Sequence, residues 1–231
     1  MATVPIYDQA RPMNSESPIS LNPELDKAAR SRVIPCWSCA GPVGGSDLFC
    51  PTCDAVQPPG QADHFARLGL PIDFDVDVEA LDREYFALQR RLHPDRFATK
   101  TSREKAFSMQ QATSLNEAYE CLKDSLCRAD YMVRIRGVEV MPEGCNLVND
   151  QELLMEAMEM REALAEAETM DDIAQVVSRA ESDMGDCLKR LSATFKTLAL
   201  EEACRLTTRL KYLRKLSDEA RQRKVQLSMM R

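Results

Sequence analysis

Residues 90–97 have the sequence Arg90-Arg91-Leu92-His93-Pro94-Asp95-Arg96-Phe97, and they separate two segments with the apolar spacing of amphipathic helices. Before this stretch, apolar residues recur at steps of four, three and four, which places them on one helix face: Leu81, Tyr85, Leu88 and Leu92. A second pattern follows from Ser102 to Leu122 and carries Leu115, Ala118, Tyr119 and Leu122. Pro94 lacks a backbone N–H and disfavours the helical conformation at His93, so the first helix must end there. The sequence therefore predicts two antiparallel helices joined by a loop that carries His93-Pro94-Asp95.

A helix pair joined by His-Pro-Asp resembles the J domain, a family of co-chaperones that stimulate the ATPase of seventy-kilodalton heat-shock chaperones. Asn116-Glu117-Ala118-Tyr119 after the loop and Phe65, Leu68, Gly69 and Leu70 before it support the resemblance. In that family, the basic helix and the loop dock on an acidic surface of the chaperone. The resemblance implies these chaperone contacts: His93, Pro94, Asp95, Arg83, Arg90, Arg91 and Arg96. From charge alone, the arginines could equally lie on a solvated helix face, and His93 could act as a general base.

Two C-x-x-C pairs form the strongest local chemical pattern in the chain. Cys36-Trp37-Ser38-Cys39 and Cys50-Pro51-Thr52-Cys53 are separated by ten residues. Two such pairs on tight turns can direct four thiolates at one centre, which is the donor set of a structural zinc site. We therefore expect zinc at Cys36, Cys39, Cys50 and Cys53, with Trp37 and Phe49 covering the sulfurs. A rubredoxin-like iron site, a redox-active dithiol and adventitious cysteines are the less favoured alternatives.

Three further apolar stripes predict helices over about residues 150–167, 171–196 and 199–228, which would form an antiparallel bundle. Between Leu122 and this bundle, the run from Ser125 to Tyr131, followed by Arg136-Gly137, resembles the segment that closes the J domain in the HscB type. The HscB type is the co-chaperone devoted to iron–sulfur cluster assembly.

The first bundle helix carries more apolar surface than its core stripe requires. Leu154, Met155 and Met158 lie beside that stripe, and the pattern alone allows either a partner site or an irregular core filled by methionines. The run from Leu153 to Leu164 resembles the HscB segment that binds the scaffold protein on which clusters are built, of the IscU type. That resemblance implies these scaffold contacts: Leu154, Met155, Met158, Glu159, Glu162, Glu166 and Tyr212. Asn149 departs from the basic residue that some members have there.

Composition limits the classes of function. The chain of 231 residues is 44% hydrophobic and 29% charged, which leaves room for two small domains. A net charge of −7 disfavours binding to nucleic acid. No apolar run approaches the ~18 residues of a membrane helix, and the first 30 residues lack a secretory core. We expect no membrane partner and a cytoplasmic bacterial protein, with a mitochondrial location as the alternative for a eukaryotic source.

These patterns together predict an all-α protein. A flexible leader (1–33) and a zinc-ribbon-like metal-binding element (34–57) precede a J domain (62–137), a linker (138–148) and a three-helix bundle (149–231). The resemblance implies a protein without an active site that binds the scaffold and stimulates a chaperone of the HscA/DnaK type. One alternative is a general J-domain co-chaperone for unfolded clients. Another is a redox or metal-handling enzyme that uses the four cysteines. Self-association is left open.

Overall fold

The computed structural model describes residues 33–60, 62–138, 140–141, 144–145 and 151–229. Seven helices and two short antiparallel strand pairs account for the regular structure of this part of the chain. The fold is predominantly helical, as the apolar periodicity predicts. Apart from Val33, the predicted leader lies outside the described residues, and so does Asn149.

The metal-binding element is built on two small pairings. Strand β1 (Val33–Pro35) pairs antiparallel with β2 (Pro42–Gly44), and Ile34 lies opposite Val43. An isolated bridge joins Phe49 to Val56. Val56 is fully buried and belongs to the core of the helices that follow. The element is therefore in contact with the rest of the fold through its second half.

The first two helices of the J domain each begin at an aspartate that caps the helix. Helix α1 (His64–Arg67) starts at Asp63, whose carboxylate accepts a hydrogen bond from the backbone N–H of Ala66 at 2.8 Å. Gly69 follows it with a φ of +67°, a left-handed conformation that suits glycine. Helix α2 (Val78–Leu92) starts at Asp77, which accepts from two backbone N–H groups.

The next J-domain helix matches, to within one residue, the segment that the apolar pattern predicts from Ser102 to Leu122. Helix α3 (Ser102–Lys123) begins with a capping box between Thr101 and Glu104. Helix α4 (Ser125–Ile135) ends just before Gly137, where φ is +85°. The side chains that face each other between these helices are fully buried: Phe65, Leu68, Leu81, Leu92, Leu115, Leu122 and Met132.

A small hairpin precedes the C-terminal bundle. Strands β3 (Val140–Met141) and β4 (Gly144–Cys145) pair antiparallel within the segment predicted as a linker, so that segment contains regular structure the sequence pattern did not indicate. The bundle consists of α5 (Gln151–Glu166), α6 (Met170–Thr197) and α7 (Leu200–Met229). These bounds confirm the three predicted helices to within one or two residues.

Part of the bundle packs into the hydrophobic core of the J domain, and a second buried cluster holds α5 to α6 and α7. Leu191 and Phe195 of α6 and Leu206 and Leu210 of α7 belong to the same buried cluster as the J-domain residues. The rings of Phe74 and Phe195 lie 5.3 Å apart between centroids. Ion pairs surround this junction: Lys196 with Asp75 at 2.6 Å, Lys211 with Asp130 at 2.7 Å and Arg214 with Asp124 at 2.8 Å. The two parts therefore pack as one unit. Among the described residues, no helix has the length and apolarity to span a membrane.

Candidate functional site

The His-Pro-Asp loop presents a carboxylate from a structured turn. Residues Pro94–Phe97 form a 3₁₀ turn, and His93 caps it because its Nδ1 accepts a hydrogen bond from the backbone N–H of Asp95 at 3.3 Å. The same nitrogen lies 3.5 Å from Oδ2 of Asp95, whose side chain is 91% exposed. Phe97 is buried in the helical core. The loop is thus attached to the core at Phe97 while Asp95 faces solvent.

Contacts between α2 and α3 determine where this loop lies. The hydroxyl of Ser108, a fully buried residue, donates to the carbonyl of Leu92 at 2.6 Å, directly before His93. Tyr85 stacks on Tyr119 with centroids 3.8 Å apart, and its hydroxyl donates to Asn116 Oδ1 at 3.0 Å. The end of α2 is therefore held to α3 by both packing and hydrogen bonds.

All four predicted basic contacts are exposed, but they differ in their surroundings. Arg83, Arg90 and Arg96 belong to the exposed residues of α2 and the loop. The guanidinium of Arg91 instead lies 4.1 Å from the centroid of Phe49 and 3.7 Å from Oδ1 of Asp54, both in the metal-binding element. Arg91 is thus engaged within the chain, although its side chain remains 53% exposed.

The four predicted metal ligands come together in space. The Sγ atoms of Cys36, Cys39, Cys50 and Cys53 all lie within 4.8 Å of one another. Across the two pairs, Cys36 and Cys53 are 3.8 Å apart and Cys39 and Cys50 are 3.7 Å apart. A tetrahedral ion with metal–sulfur bonds of about 2.3 Å requires sulfur–sulfur separations of about 3.8 Å. The donor set fits a four-coordinate, thiophilic metal ion.

The two C-x-x-C turns have closely related backbones. Ala40 donates its N–H to the carbonyl of Cys36, and Asp54 donates to that of Cys50, each at 2.9 Å. Ala40 and Asp54 have left-handed φ angles of 59° and 56°. Burial raises the pKa of the Cys36 thiol, but hydrogen bonds from backbone N–H groups, from the Gln57 side chain and from the Cys50 thiol together lower this pKa to about 6. Such donors stabilise thiolates, the form that binds metal.

One expectation about the aromatic residues is confirmed and one is wrong. Trp37 packs against the cysteine cluster, and its indole N–H donates to the carbonyl of Val56 at 2.7 Å. Phe49 does not cover the sulfurs. It packs against the helical core and beneath Arg91, because its bridge with the fully buried Val56 lies at that core.

The predicted scaffold-binding residues of α5 lie in solvent. Leu154, Met155 and Met158 are 46%, 55% and 70% exposed, so these methionines do not fill an irregular core. Met155 and Met158 lie on the solvent side of α5 rather than beside the core stripe, because that stripe buries Leu153 and Met160 on the opposite side. Three exposed acids complete this surface, which we call the α5 face: Leu154, Met155, Met158, Glu159, Glu162 and Glu166.

The structure separates two kinds of acid on α5. Glu156 forms a bidentate ion pair with Arg209 and raises the pKa of that guanidinium, and Glu152 pairs with Arg205 at 2.8 Å. These two acids therefore attach α5 to α7, whereas the acids of the α5 face are solvent-exposed. The sequence alone does not distinguish the acids that pair with α7 from the acids of the α5 face, because all of them lie in one acidic run.

Tyr212 lies on a groove at the border of the α5 face. Ala157, Met160 and Arg161 of α5 line one side of this groove, and Tyr212 and Lys215 of α7 line the other. Arg161 is three residues after Met158, so the two are neighbours on the helix surface. The structure thus places Tyr212 beside the other predicted scaffold contacts.

Sequence reasoning missed the residues of α3 that contact the metal-binding element. The guanidinium of Arg103 lies 4.6 Å from the ring centroid of Trp37, and the ring of Phe107 meets Trp37 edge-on at 5.7 Å. Gln111 donates to the carbonyl of Gln57 at 3.0 Å and accepts from Arg67 at 3.1 Å. These contacts join distant parts of the chain, and no local spacing indicates them.

Comparison with known proteins identifies relatives with the same kind of fold. Residues 149–221 match the family model described as the HSCB C-terminal oligomerisation domain. The chain is 33% identical over 196 residues to human "iron-sulfur cluster co-chaperone protein HscB", and the match covers 83% of each chain. The crystal structure of human HscB is similar with a TM-score of 0.76 and 31% identity, covering 82% of this chain and 98% of that one. HscB from Vibrio cholerae is similar with a TM-score of 0.64 and 33% identity, covering 72% and 99%. The chain therefore belongs to the HscB family of iron–sulfur cluster co-chaperones.

Proposed function

We propose that this protein binds an iron–sulfur cluster scaffold protein of the IscU type and stimulates the ATPase of a seventy-kilodalton chaperone of the HscA/DnaK type. The scaffold would bind the α5 face and Tyr212, and the chaperone would bind the His-Pro-Asp loop and the arginines around it. One observation carries the proposal: one packed unit presents both surfaces, since α6 and α7 extend from the J-domain core to a second buried cluster that holds α5. Binding the two partners to one rigid molecule brings them together.

The loop surface has the chemistry for an acidic partner. Exposed arginines raise the rate of encounter with an acidic protein, and an exposed carboxylate on a structured turn supplies a specific contact after docking. Asp95 is the side chain that fits the second role, because His93 and Phe97 hold its backbone. Relatives are named co-chaperones, and in this proposal the protein activates its partner without performing the hydrolysis itself.

The α5 face has the chemistry for a partner that is apolar at its centre and basic at its rim. Exposed Leu154, Met155 and Met158 offer apolar surface, and a few such side chains carry most of the binding energy in typical interfaces. Glu159, Glu162 and Glu166 continue the same side of the helix and would pair with basic residues of the scaffold.

We assign zinc to the four-cysteine site, in a structural role. Four thiolates complete a tetrahedral zinc shell and leave no position open for a substrate, which argues against catalysis at this site. Relatives occur in bacteria and in eukaryotes, and a cytoplasmic location of this chain in a bacterium, or a mitochondrial one in a eukaryote, stays a prediction.

The test uses two variants, each of which should impair the function of only one of the two surfaces. Two variants, Asp95→Asn and the triple change Leu154→Ala, Met155→Ala and Met158→Ala, are compared in two assays: ATP turnover by the partner chaperone and calorimetric binding to the scaffold. We expect Asp95→Asn to reduce stimulated turnover to the unstimulated rate without affecting scaffold binding. The triple variant should weaken scaffold binding by at least ~10-fold and leave the scaffold-independent stimulation unchanged.

Matched controls change equally exposed residues elsewhere. Met109→Ala on α3 and Val225→Ala on α7 remove side chains that are 63% and 52% exposed, and neither should affect either assay. Unchanged turnover with Asp95→Asn would contradict the chaperone assignment. Unchanged scaffold binding by the triple variant would favour a general J-domain co-chaperone for unfolded clients.

A further inference from the structure

Each half of the metal-binding element carries an aromatic ring next to a metal-ligating cysteine. Trp37 follows Cys36 in the first half, and Phe49 precedes Cys50 in the second. Each ring lies against one arginine of the J domain: Phe49 against Arg91 at 4.1 Å and Trp37 against Arg103 at 4.6 Å. The two halves of the element therefore contact two different helices.

The two arginines lie on opposite sides of the His-Pro-Asp loop. Arg91 is the next-to-last residue of α2, two residues before His93, and Arg103 is the second residue of α3. Residues 93–101 connect the two helices. Asp54 adds an ion pair to Arg91 at 3.7 Å, and Phe107 adds a ring contact to Trp37 at 5.7 Å. Any change in the separation of the two rings would therefore act on both ends of this loop.

The thiol cluster joins the two halves at this point, together with the hydrogen bond from the Trp37 indole to the carbonyl of Val56. The sulfur contacts cross between the halves, from Cys36 to Cys53 and from Cys39 to Cys50. An element of this size cannot bury a core of its own, so a bound ion would have to hold the halves together. Each ring is adjacent in sequence to a ligand, so a bound ion adds to the contacts with Val56 that already hold Trp37 and Phe49.

We propose that the metal-binding element holds the His-Pro-Asp loop in its conformation, by fixing Arg91 and Arg103 through Phe49 and Trp37 when the metal is bound. The element thus acts on the J domain as a positioning device, with Arg91 and Arg103 as positioning residues. This inference goes beyond the proposed function, because it concerns the conformation of residues 93–101 in the isolated chain and needs no partner.

Hydrogen exchange of the full zinc-loaded chain measures this directly. Within the loop, the backbone N–H groups of Arg96, Ala98 and Lys100 are hydrogen-bonded at 3.0, 3.2 and 2.9 Å, so a loosened loop exchanges faster. We expect removal of zinc by a chelator to accelerate exchange in peptides covering residues 93–101 by on the order of 10-fold. Peptides from α6 should be unaffected.

A second variant separates this role from a general loss of folding. The double change Trp37→Ala and Phe49→Ala removes the ring contacts but keeps all four thiols, and zinc content is measured by native mass spectrometry. We expect zinc to remain bound and the loop to exchange as fast as in the zinc-free protein. Met109→Ala is the matched control, because it removes an apolar side chain of α3 that is 63% exposed.

Two results would overturn the inference. In one, zinc removal leaves exchange of residues 93–101 unchanged. In the other, the double variant retains zinc and also retains the protection of the loop. If chelation accelerates exchange throughout the chain, the effect on the loop is judged from the double variant, because that variant keeps the metal bound. None of these readouts involves the chaperone or the scaffold, so failure here is distinct from failure of the proposed function.

Discussion

The J domain has two junctions, one with the C-terminal bundle and one with the metal-binding element, and they are built differently. The bundle junction is apolar and continuous, with Leu191, Phe195, Leu206 and Leu210 buried in the J-domain core. The metal junction is smaller: fully buried Val56 and partly buried Leu48 and Phe49 pack on the J-domain core, and arginine–ring contacts, one ion pair and hydrogen bonds through Gln111 surround them.

Typical interaction free energies show what the difference between the two junctions implies for stability. A fully buried large apolar side chain contributes about 1.5–3 kcal/mol, whereas an exposed cation–π contact contributes about 0.5–1 kcal/mol and a surface ion pair about 0–1 kcal/mol. The bundle junction is therefore stable by itself, and the metal junction is weak unless its rings are already held in position. The two neighbours of the J domain thus differ in degree: the bundle places several large side chains in its core, whereas the metal-binding element buries mainly Val56 there.

The largest effect should come from removing a ring at the bundle junction. Phe195→Ala leaves a cavity at a side chain that is 4% exposed, and we expect a loss of about 3–5 kcal/mol in the free energy of unfolding. Because the core is shared, calorimetry should show the J domain and the bundle unfolding together at a lower temperature. Met229→Ala, at an 80% exposed residue, is the control. A J domain that unfolds at its original temperature would show that the two parts are separate.

A smaller effect is expected at the metal junction. Gln111 is buried between Arg67 and the carbonyl of Gln57, so Gln111→Leu leaves both groups without this partner. We expect a loss of about 1–3 kcal/mol in urea unfolding, with zinc still bound. The neighbouring exposed Gln110→Leu makes the same chemical change where no buried group depends on it. Equal effects of the two variants would mean that the junction does not depend on this bridge.

The smallest effect concerns the rim of the bundle junction and depends on pH. Hydrogen bonds from Lys196 and from Ser192 lower the pKa of Asp75 below its ordinary 3.8. A carboxylate with a lowered folded-state pKa stabilises the fold above its unfolded pKa and loses this contribution as pH falls through the folded value. Asp75→Asn should therefore cost less than ~1 kcal/mol near neutral pH, because the pair is about half exposed.

The pH series provides the check. Urea unfolding of the two proteins between about pH 7 and about pH 3 should show the difference in stability shrinking as the solution becomes more acidic. Asp73→Asn, two residues earlier, is the control for a charge change nearby. A difference that stays constant with pH would mean that the ion pair with Lys196 does not contribute.

Predictions that rest on residues close together in the sequence agree with the structure. Pro94 was expected to end the first helix at His93, and α2 ends at Leu92 because proline cannot donate the backbone N–H that a helix requires. The C-x-x-C spacing likewise placed two thiols on each tight turn, and the structure brings all four together. The apolar members of the α5 face are exposed, and their contact with a scaffold protein stays a prediction.

Predictions that depended on distant contacts could not be made in the same way. No sequence pattern separates Arg91 from the other basic residues of α2. In the structure it lies against Phe49, which is 42 residues earlier in the sequence. Phe49 was expected at the sulfurs and lies instead at the helical core. Glu152 and Glu156 belong to the same acidic run as Glu159, but arginines of α7 pair with only the first two of these three in the described residues.

Periodicity, capping residues and cysteine spacing are properties of short segments, so the sequence by itself determined the helices, their ends, the metal ligands and the loop that carries Asp95. Only the tertiary structure decided how these parts meet. It merges the bundle with the J-domain core, and it places the metal-binding element against both helices that flank the loop. The physical reason is that such contacts depend on which surfaces remain to be buried after the local elements have formed, and no local pattern encodes that choice.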